Sequence, residues 1–317
     1  KEERDSDFDV IFVKQNLSVM HAPTKLLLEF SRIIQRKLGK KVWIISAVLK
    51  TDVELLKQAE IAGNFLITNF IEQRGNCFAD YKETRIPVYQ LIVEKGNERE
   101  MKAVWDKIYE LKPFCVWNLA GDPLWTAIAG QFTVSLHTNM RQGYPAVYAD
   151  AIVNYIPTDR PEDKENKEFL LRRNIAVLET EFLFPYEKPS GNLKRSDVGI
   201  PEEAFCLGVA GNRLLTECSD SFLHVIFHAA EGDDGIFVWF IGLSESDRKK
   251  KKKKLDGKLR RFLLTGHEDN LIEHLNLFDL FVNPPRLGGG NTGAMALSVG
   301  VPVLTLNKGD IAAVAGR

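Results

Sequence analysis

The chain alternates short apolar runs with longer stretches in which apolar residues return every three or four positions. Asp9 to Lys14, Val42 to Ala47, Arg85 to Val93 and Phe114 to Asn118 are runs of the first kind and predict strands, the most apolar of them covered on both faces. Leu26, Leu27, Phe30, Ile33, Ile34 and Leu38 trace one helical face that starts near Thr24 and stops at Gly39. Met101, Val104, Trp105, Ile108 and Leu111 trace another within Glu98 to Leu111, closed by Pro113. Thr51 to Leu66 predicts a helix and Phe65 to Phe70 a strand, while the polar stretch Glu72 to Arg85, with Gly75 and Asn76, reads as a loop. A helix over Leu124 to Ala129, strands over Phe132 to Leu136 and Ile152 to Ile156, and a charged surface segment from Thr158 to Glu168 follow.

From Phe182 to Asp197 the apolar period lapses among Pro185, Pro189, Ser190 and Gly191, which predicts a linker and divides the chain into domains 1–185 and 186–317. The second half then restarts the pattern. Strands are expected at Phe205 to Ala210, Ile236 to Ile241 and Leu259 to Leu264, with helices at Ser219 to Ala230 and Asn270 to Leu277. Leu280 to Leu306 reads as a strand, a proline and glycine loop, a helix of small residues and a second buried strand. Strand, helix, strand within fifty residues is a parallel crossover unit, and such units put ligand loops at the carboxyl ends of their strands. The expected fold class is therefore α/β: two doubly wound Rossmann-like domains whose strand ends face across a cleft.

A length of 317 residues exceeds one ordinary core, in keeping with two domains. The formal net charge of -1 argues against nucleic acid as the main partner, which needs a basic surplus. Cys77, Cys115, Cys206 and Cys218 show no CxxC pairing, so neither a zinc site nor a disulfide framework is expected, and a reducing cytoplasm fits. The first residues, Lys1-Glu2-Glu3-Arg4-Asp5, are no signal peptide, and no apolar run approaches the ~18 residues that span a bilayer. The one strong local charge is Arg248 with Lys249 to Lys254; such a run is a solvated face or a point of attraction to anionic lipid headgroups at the inner membrane surface.

Candidate chemistry gathers in the second domain. Gly288, Gly289 and Gly290 carry no Cβ and let backbone amides approach a ligand, and the helix after them aims its free N–H groups, including those of Asn291 and Thr292, into the same space. That geometry favours a phosphate. It is not a Walker loop, since no Gly-Lys-Ser/Thr follows, nor a dinucleotide fingerprint, since GxGxxG spacing is absent. Arg213 leaves the first strand of the domain and Arg286 precedes the glycines, so both are candidate cations for the same group. His224 and His228 stand at i, i+4, but no third ligand accompanies them, and no metal site is expected. His21, in the loop after the first strand, fits either a turn histidine bonded to a carbonyl or, with an ordinary pKa near ~6.5, a base for a hydroxyl.

Pro284-Pro285-Arg286-Leu287-Gly288-Gly289-Gly290, followed by a helix and Gly300-Val301-Pro302-Val303, resembles the donor loop of GT-B fold glycosyltransferases of the bacterial family-4-like type. Gly211-Asn212-Arg213-Leu214 resembles a second signature of that family. The resemblance implies transfer of a sugar from a nucleotide-diphosphate donor, such as a UDP-sugar, to a glycan, lipid-linked glycan or protein acceptor, with no metal and no cofactor. It implies donor contacts from Asn212, Arg213, Arg286, Gly288 to Gly290, Asn291 and Thr292, and a donor-sugar contact from His137 at a strand end. The alternative for His137 is a strand-end cap against Asn139. Met295 stands where the family usually has a glutamate that holds the ribose hydroxyls, and methionine accepts hydrogen bonds poorly. That departure raises a second expectation, a catalytically inactive GT-B protein that binds or stabilises an active transferase. A nucleotide-sugar epimerase of the same architecture is a third. GT-B chains normally continue beyond the point matched by Arg317, so the resemblance also implies a truncated C-terminal part.

Overall fold

The computed structural model describes residues 8–13, 22–49, 75–93, 97–119, 123–139, 143–155, 160–180, 186, 188–268, 270–286, 289–307 and 311–312. The chain divides into two units, Lys1–Phe184 and Pro185–Arg317. The helix expected at Thr51 to Leu66 and the strand at Phe65 to Phe70 lie outside the described residues.

In the first unit the apolar runs become β1 (Phe8–Val13), β2 (Lys41–Leu49), β3 (Gly75–Tyr81), β4 (Thr84–Val93), β5 (Cys115–Leu119), β6 (Val134–Asn139), β7 (Ala151–Asn154) and β8 (Ala176–Glu179). They form one sheet in the order β3-β4-β2-β1-β5-β6-β7-β8. Every neighbouring pair is parallel except β3 with β4. The helices are α1 (Ala22–Leu38), α2 (Glu98–Leu111), α3 (Pro123–Phe132) and α4 (Pro161–Arg172). Alternate residues of β2 divide between two cores. Val42 and Ile44 pack with Leu26, Leu27 and Leu28 of α1, whereas Ile45 packs with Val104 and Ile108 of α2 and Trp125 and Ala129 of α3. A sheet with helix-built cores on both faces is doubly wound, as the near-continuous apolar strands predict.

Two segments depart from the sequence expectation. Glu72 to Arg85 is not all loop: Gly75 to Tyr81 pairs with β4 as an antiparallel edge hairpin, with Tyr81 opposite Thr84. The two turn residues, Lys82 and Glu83, both have positive φ (43° and 60°), the backbone of a tight hairpin turn without its usual Asn-Gly or Asp-Gly. The charged segment after Thr158 is a helix from Pro161, with Arg160 at its N-cap and proline in its first turn. Its Asp163 is buried and accepts from the Tyr144 amide (3.2 Å) and from Arg160 Nε (2.7 Å), so the acid anchors the helix instead of facing water.

In the second unit β9 (Phe205–Ala210), β10 (Ile236–Ile241), β11 (Phe262–Thr265), β12 (Leu280–Val282) and β13 (Val303–Leu304) form a parallel sheet in the order β11-β10-β9-β12-β13. Its helices are α5 (Leu214–Glu217), α6 (Asp220–Glu231), α7 (Glu245–Leu255), α8 (Leu271–Leu275) and α9 (Gly290–Ser298). Cys206, Phe237, Trp239 and Ile241 face one core with Phe278 and Ala296, while Leu207, Val209, Val238 and Phe240 face another with Phe222 and Ile226. Gly208 faces the ring of Phe278, where an added Cβ would lie 2.0 Å from Cε2. Part of the segment expected to be linker belongs to this unit. Arg195, in a 3-10 turn (Arg195–Val198), donates to the carbonyls of Leu277 (2.9 Å) and Ala204 (2.8 Å) and pairs with Asp279 (2.6 Å). A single arginine with several backbone acceptors leaves no apolar period in the sequence. Among the described residues no helix is long and apolar enough to cross a membrane.

Candidate functional site

Strand order in the second unit reverses between β9 and β12, and in open parallel sheets such a switch point opens a crevice at the carboxyl ends of the strands. The chain leaves β9 through Gly211, Asn212 and Arg213 and leaves β12 through Asn283 to Arg286, so both candidate arginines arrive there. Arg286 joins the two exits. Its Nη2 donates to the Ala210 carbonyl (3.0 Å), its Nε to Asn283 Oδ1 (2.7 Å), and its Nη1 to Glu217 Oε2 (2.8 Å).

Glycine is required around this guanidinium. A Cβ on Gly211 would lie 2.3 Å from Arg286 Nη1, and one on Gly289 would lie 2.7 Å from its Nε. Gly289 has φ 95° and caps α9, a conformation that disfavours other residues. Gly242, just past β10, has φ 104°, and a Cβ there would meet the Gly211 carbonyl oxygen at 2.5 Å. Arg286 therefore brings the glycine loop against the end of β9. Its side chain is only 7% exposed.

Arg213 is the solvent-facing cation, with its side chain 54% exposed and its Nη2 2.9 Å from Glu217 Oε1. Glu217, 10% exposed at the end of α5, thus divides its carboxylate between the two arginines. Beneath α5, the fully buried Lys251 donates to the Leu214 carbonyl (3.2 Å) and lies 5.8 Å from the centre of the Phe240 ring. Burial pushes the Lys251 ammonium below its ordinary range and the neighbouring Cys218 thiol up to about 11, so this cysteine is a packing residue and not a thiolate.

On the opposite exit α9 begins at Gly290. Gly293 N–H closes on the Gly289 carbonyl at 3.1 Å, and the amides of Gly290, Asn291 and Thr292 form the first turn ahead of it, where helical N–H groups have no acceptor within their own helix. The Asn291 side chain is directed into the unit: Tyr186 Oη donates to its Oδ1 (2.6 Å), and its Nδ2 reaches Met295 Sδ (3.8 Å). Met295 itself packs against the core with Val299 and Val303. Main chain, not side chain, is what this helix start offers a ligand. A half-exposed guanidinium and a helix start with no side-chain cap are each suited to an anion with several oxygens.

Gly288 and His21 lie outside the described residues. His137 is the fourth residue of the six in β6, not the residue after it, and it is 4% exposed. Asn118 Nδ2 donates to Thr126 Oγ1 (2.9 Å), and the same hydroxyl shares a hydrogen bond with His137 Nδ1 (3.3 Å), the donor being set by the histidine tautomer. Burial lowers its pKa to about 4, so the imidazole is neutral at pH 7. Unfolding exposes it to a pKa near ~6.5; the stability this burial implies is complete above that pH and is lost as pH falls toward 4, by at most about 3 kcal/mol. Urea unfolding of the native chain should weaken more steeply from pH 6.5 to 4 than that of His137→Gln, and parallel curves would refute the assignment.

Residues that hold the site together but that the sequence pattern did not single out are Glu217, Asn283 and Gly242; Lys251, from the lysine run expected to be a solvated face or a point of lipid attraction, is instead fully buried. Only Glu217 carried a local signal, its i, i+4 spacing from Arg213. Among the described residues no three His, Cys, Asp or Glu are grouped to hold a metal ion.

No family model matches this chain, and no curated protein sequence matches it. Solved structures do. A Thermobaculum terrenum O-GlcNAc transferase mutant superposes at TM-score 0.54 and 14% identity over 98% of this chain, which spans 55% of that protein's length. The UDP-forming α,α-trehalose-phosphate synthase of Burkholderia vietnamiensis gives 0.57 and 9% over 96% of this chain and 84% of its own. The pneumococcal O-GlcNAc transferase GtfA, in complex with UDP and GlcNAc, gives 0.53 and 10% over 95% and 84%. At such identities the likeness establishes architecture: the chain has the fold of GT-B glycosyltransferases, with two doubly wound Rossmann-like domains.

Proposed function

We propose that this protein is a glycosyltransferase that binds a nucleotide-diphosphate sugar in its second unit and passes the sugar to a glycan, a lipid-linked glycan or a protein. The observation that carries this reading is the switch point, where Arg286 ties the end of β9 to Gly289 at the start of α9 and shares Glu217 with half-exposed Arg213. When a glycosyl bond to a diphosphate breaks, the anomeric carbon gains positive charge and the leaving oxygens gain negative charge. A fixed cation and main-chain amides at those oxygens lower that barrier, and the charge they supply makes a metal unnecessary. UDP is the first candidate nucleotide, since the pneumococcal O-GlcNAc transferase was solved with UDP.

Within this reading Asn212, Arg213, Gly288 to Gly290 and the amides of Asn291 and Thr292 contact the donor, while Arg286 acts by holding the loops. His21 is the proposed base toward an acceptor hydroxyl. His137, neutral and bonded to Thr126, is suited to a hydrogen bond at the donor sugar and not to carrying charge. With Met295, a poor acceptor, packed against the core, the ribose hydroxyls must find another partner.

Incubation with UDP-, GDP- and TDP-sugars in EDTA, followed by mass spectrometry, should show one nucleoside diphosphate released and its sugar moved to water or an added acceptor. Binding without release would identify a donor-binding partner of an active transferase instead. Absence of both would refute the proposal.

A further inference from the structure

Among the described residues Glu217 is the acid that pairs with both site arginines, and its placement has consequences for any anion that binds there. Its two oxygens are divided, Oε1 on Arg213 (2.9 Å) and Oε2 on Arg286 (2.8 Å), and its side chain is nearly buried. The two arginines differ in what else holds them. Arg286 spends its other contacts on Asn283 and the Ala210 carbonyl and is wedged between Gly211 and Gly289, so it has no room to turn. Arg213 is half exposed, and among the described residues Glu217 is the only partner of its guanidinium.

We infer that Glu217 is an internal counter-ion that a bound diphosphate displaces from Arg213, and hence the residue that sets how many phosphate contacts a ligand needs to occupy this site. The inference rests on the donor-site reading above and deepens it. A phosphate that takes Arg213 must break one ion pair and lie near a carboxylate that stays bound to Arg286. A single phosphate that reaches only the released guanidinium gains too little to offset both effects. A diphosphate, long enough for one phosphate to meet Arg213 and the other to meet main-chain amides, gains enough. Glu217 would thus exclude weak anions while permitting the diphosphate. The opposite role is also physically definite: a carboxylate that merely orients Arg213 for its ligand would, when removed, weaken binding.

Calorimetric titration with inorganic pyrophosphate and with UMP separates these roles. Glu217→Gln keeps an acceptor for Arg286 and removes the charge; Glu217→Asp keeps the charge but shortens its reach to Arg213, and serves if the glutamine variant does not fold. For either variant the account predicts pyrophosphate binding up to about fivefold tighter, the scale of releasing a half-exposed ion pair, and a larger proportional gain for UMP. Adding Arg213→Ala should abolish the gain. If native protein binds pyrophosphate and the variants bind it equally or less well, the counter-ion role is overturned and the donor site stands. If neither native protein nor variants bind pyrophosphate, both fall together.

Discussion

Arg286→Ala should destabilise the second unit by about 3–5 kcal/mol, the usual consequence of removing one partner from a buried ion pair. The loss has three parts. Glu217 keeps its charge in a nearly buried position with only the exposed Arg213 to balance it. Asn283 Oδ1 and the Ala210 carbonyl each lose a donor. The glycines on either side of the guanidinium, Gly211 and Gly289, are left around an empty space that no Cβ can fill without rebuilding two backbone turns. Arg286→Lys restores charge without the three-way fork and should recover less than half of the loss, since an ammonium cannot reach a carboxylate, an amide oxygen and a carbonyl in one plane. Urea unfolding followed by tryptophan fluorescence gives the comparison directly, because Trp239 is buried in this unit. A change under about 1 kcal/mol, the scale of a surface pair, would mean that Arg286 is not the tie described.

How far the sequence revealed this molecule depends on whether a feature is local. Strands β9 and β10 were legible to the residue, because both faces of each are covered and the apolar run stops where cover stops. Helix α2 was equally plain, with Val104 and Ile108 on its buried face and Glu98 and Glu100 in its first turn. The hairpin of β3 and β4 was hidden because Lys82 and Glu83 adopt positive φ without the residues that usually announce it. Helix α4 was hidden because its anchor is an acid, Asp163, bonded to a backbone amide that lies nineteen positions earlier. At the candidate site, Arg213 and the glycine loop drew notice from their neighbours in sequence. The roles of the two arginines were not legible, since Arg286 looks like an exposed residue after two prolines until Ala210, 76 positions away, is seen to accept from it. His137 shows the same limit. Its spacing suggested a strand end, but β6 runs on through Asn139, and Thr126 on the covering helix takes its ring nitrogen.

The central claim, that a diphosphate is held between Arg213 and the start of α9, is tested most directly by titrating UDP into native protein and Arg213→Ala. Arg213 is half exposed and bonded only to Glu217 among the described residues, so its removal should leave the unfolding midpoint nearly unchanged. Losing a charge-assisted contact worth about 1.5–3 kcal/mol should weaken UDP binding roughly 10- to 100-fold. Native affinity in the alanine variant, with the fold intact, would contradict the account.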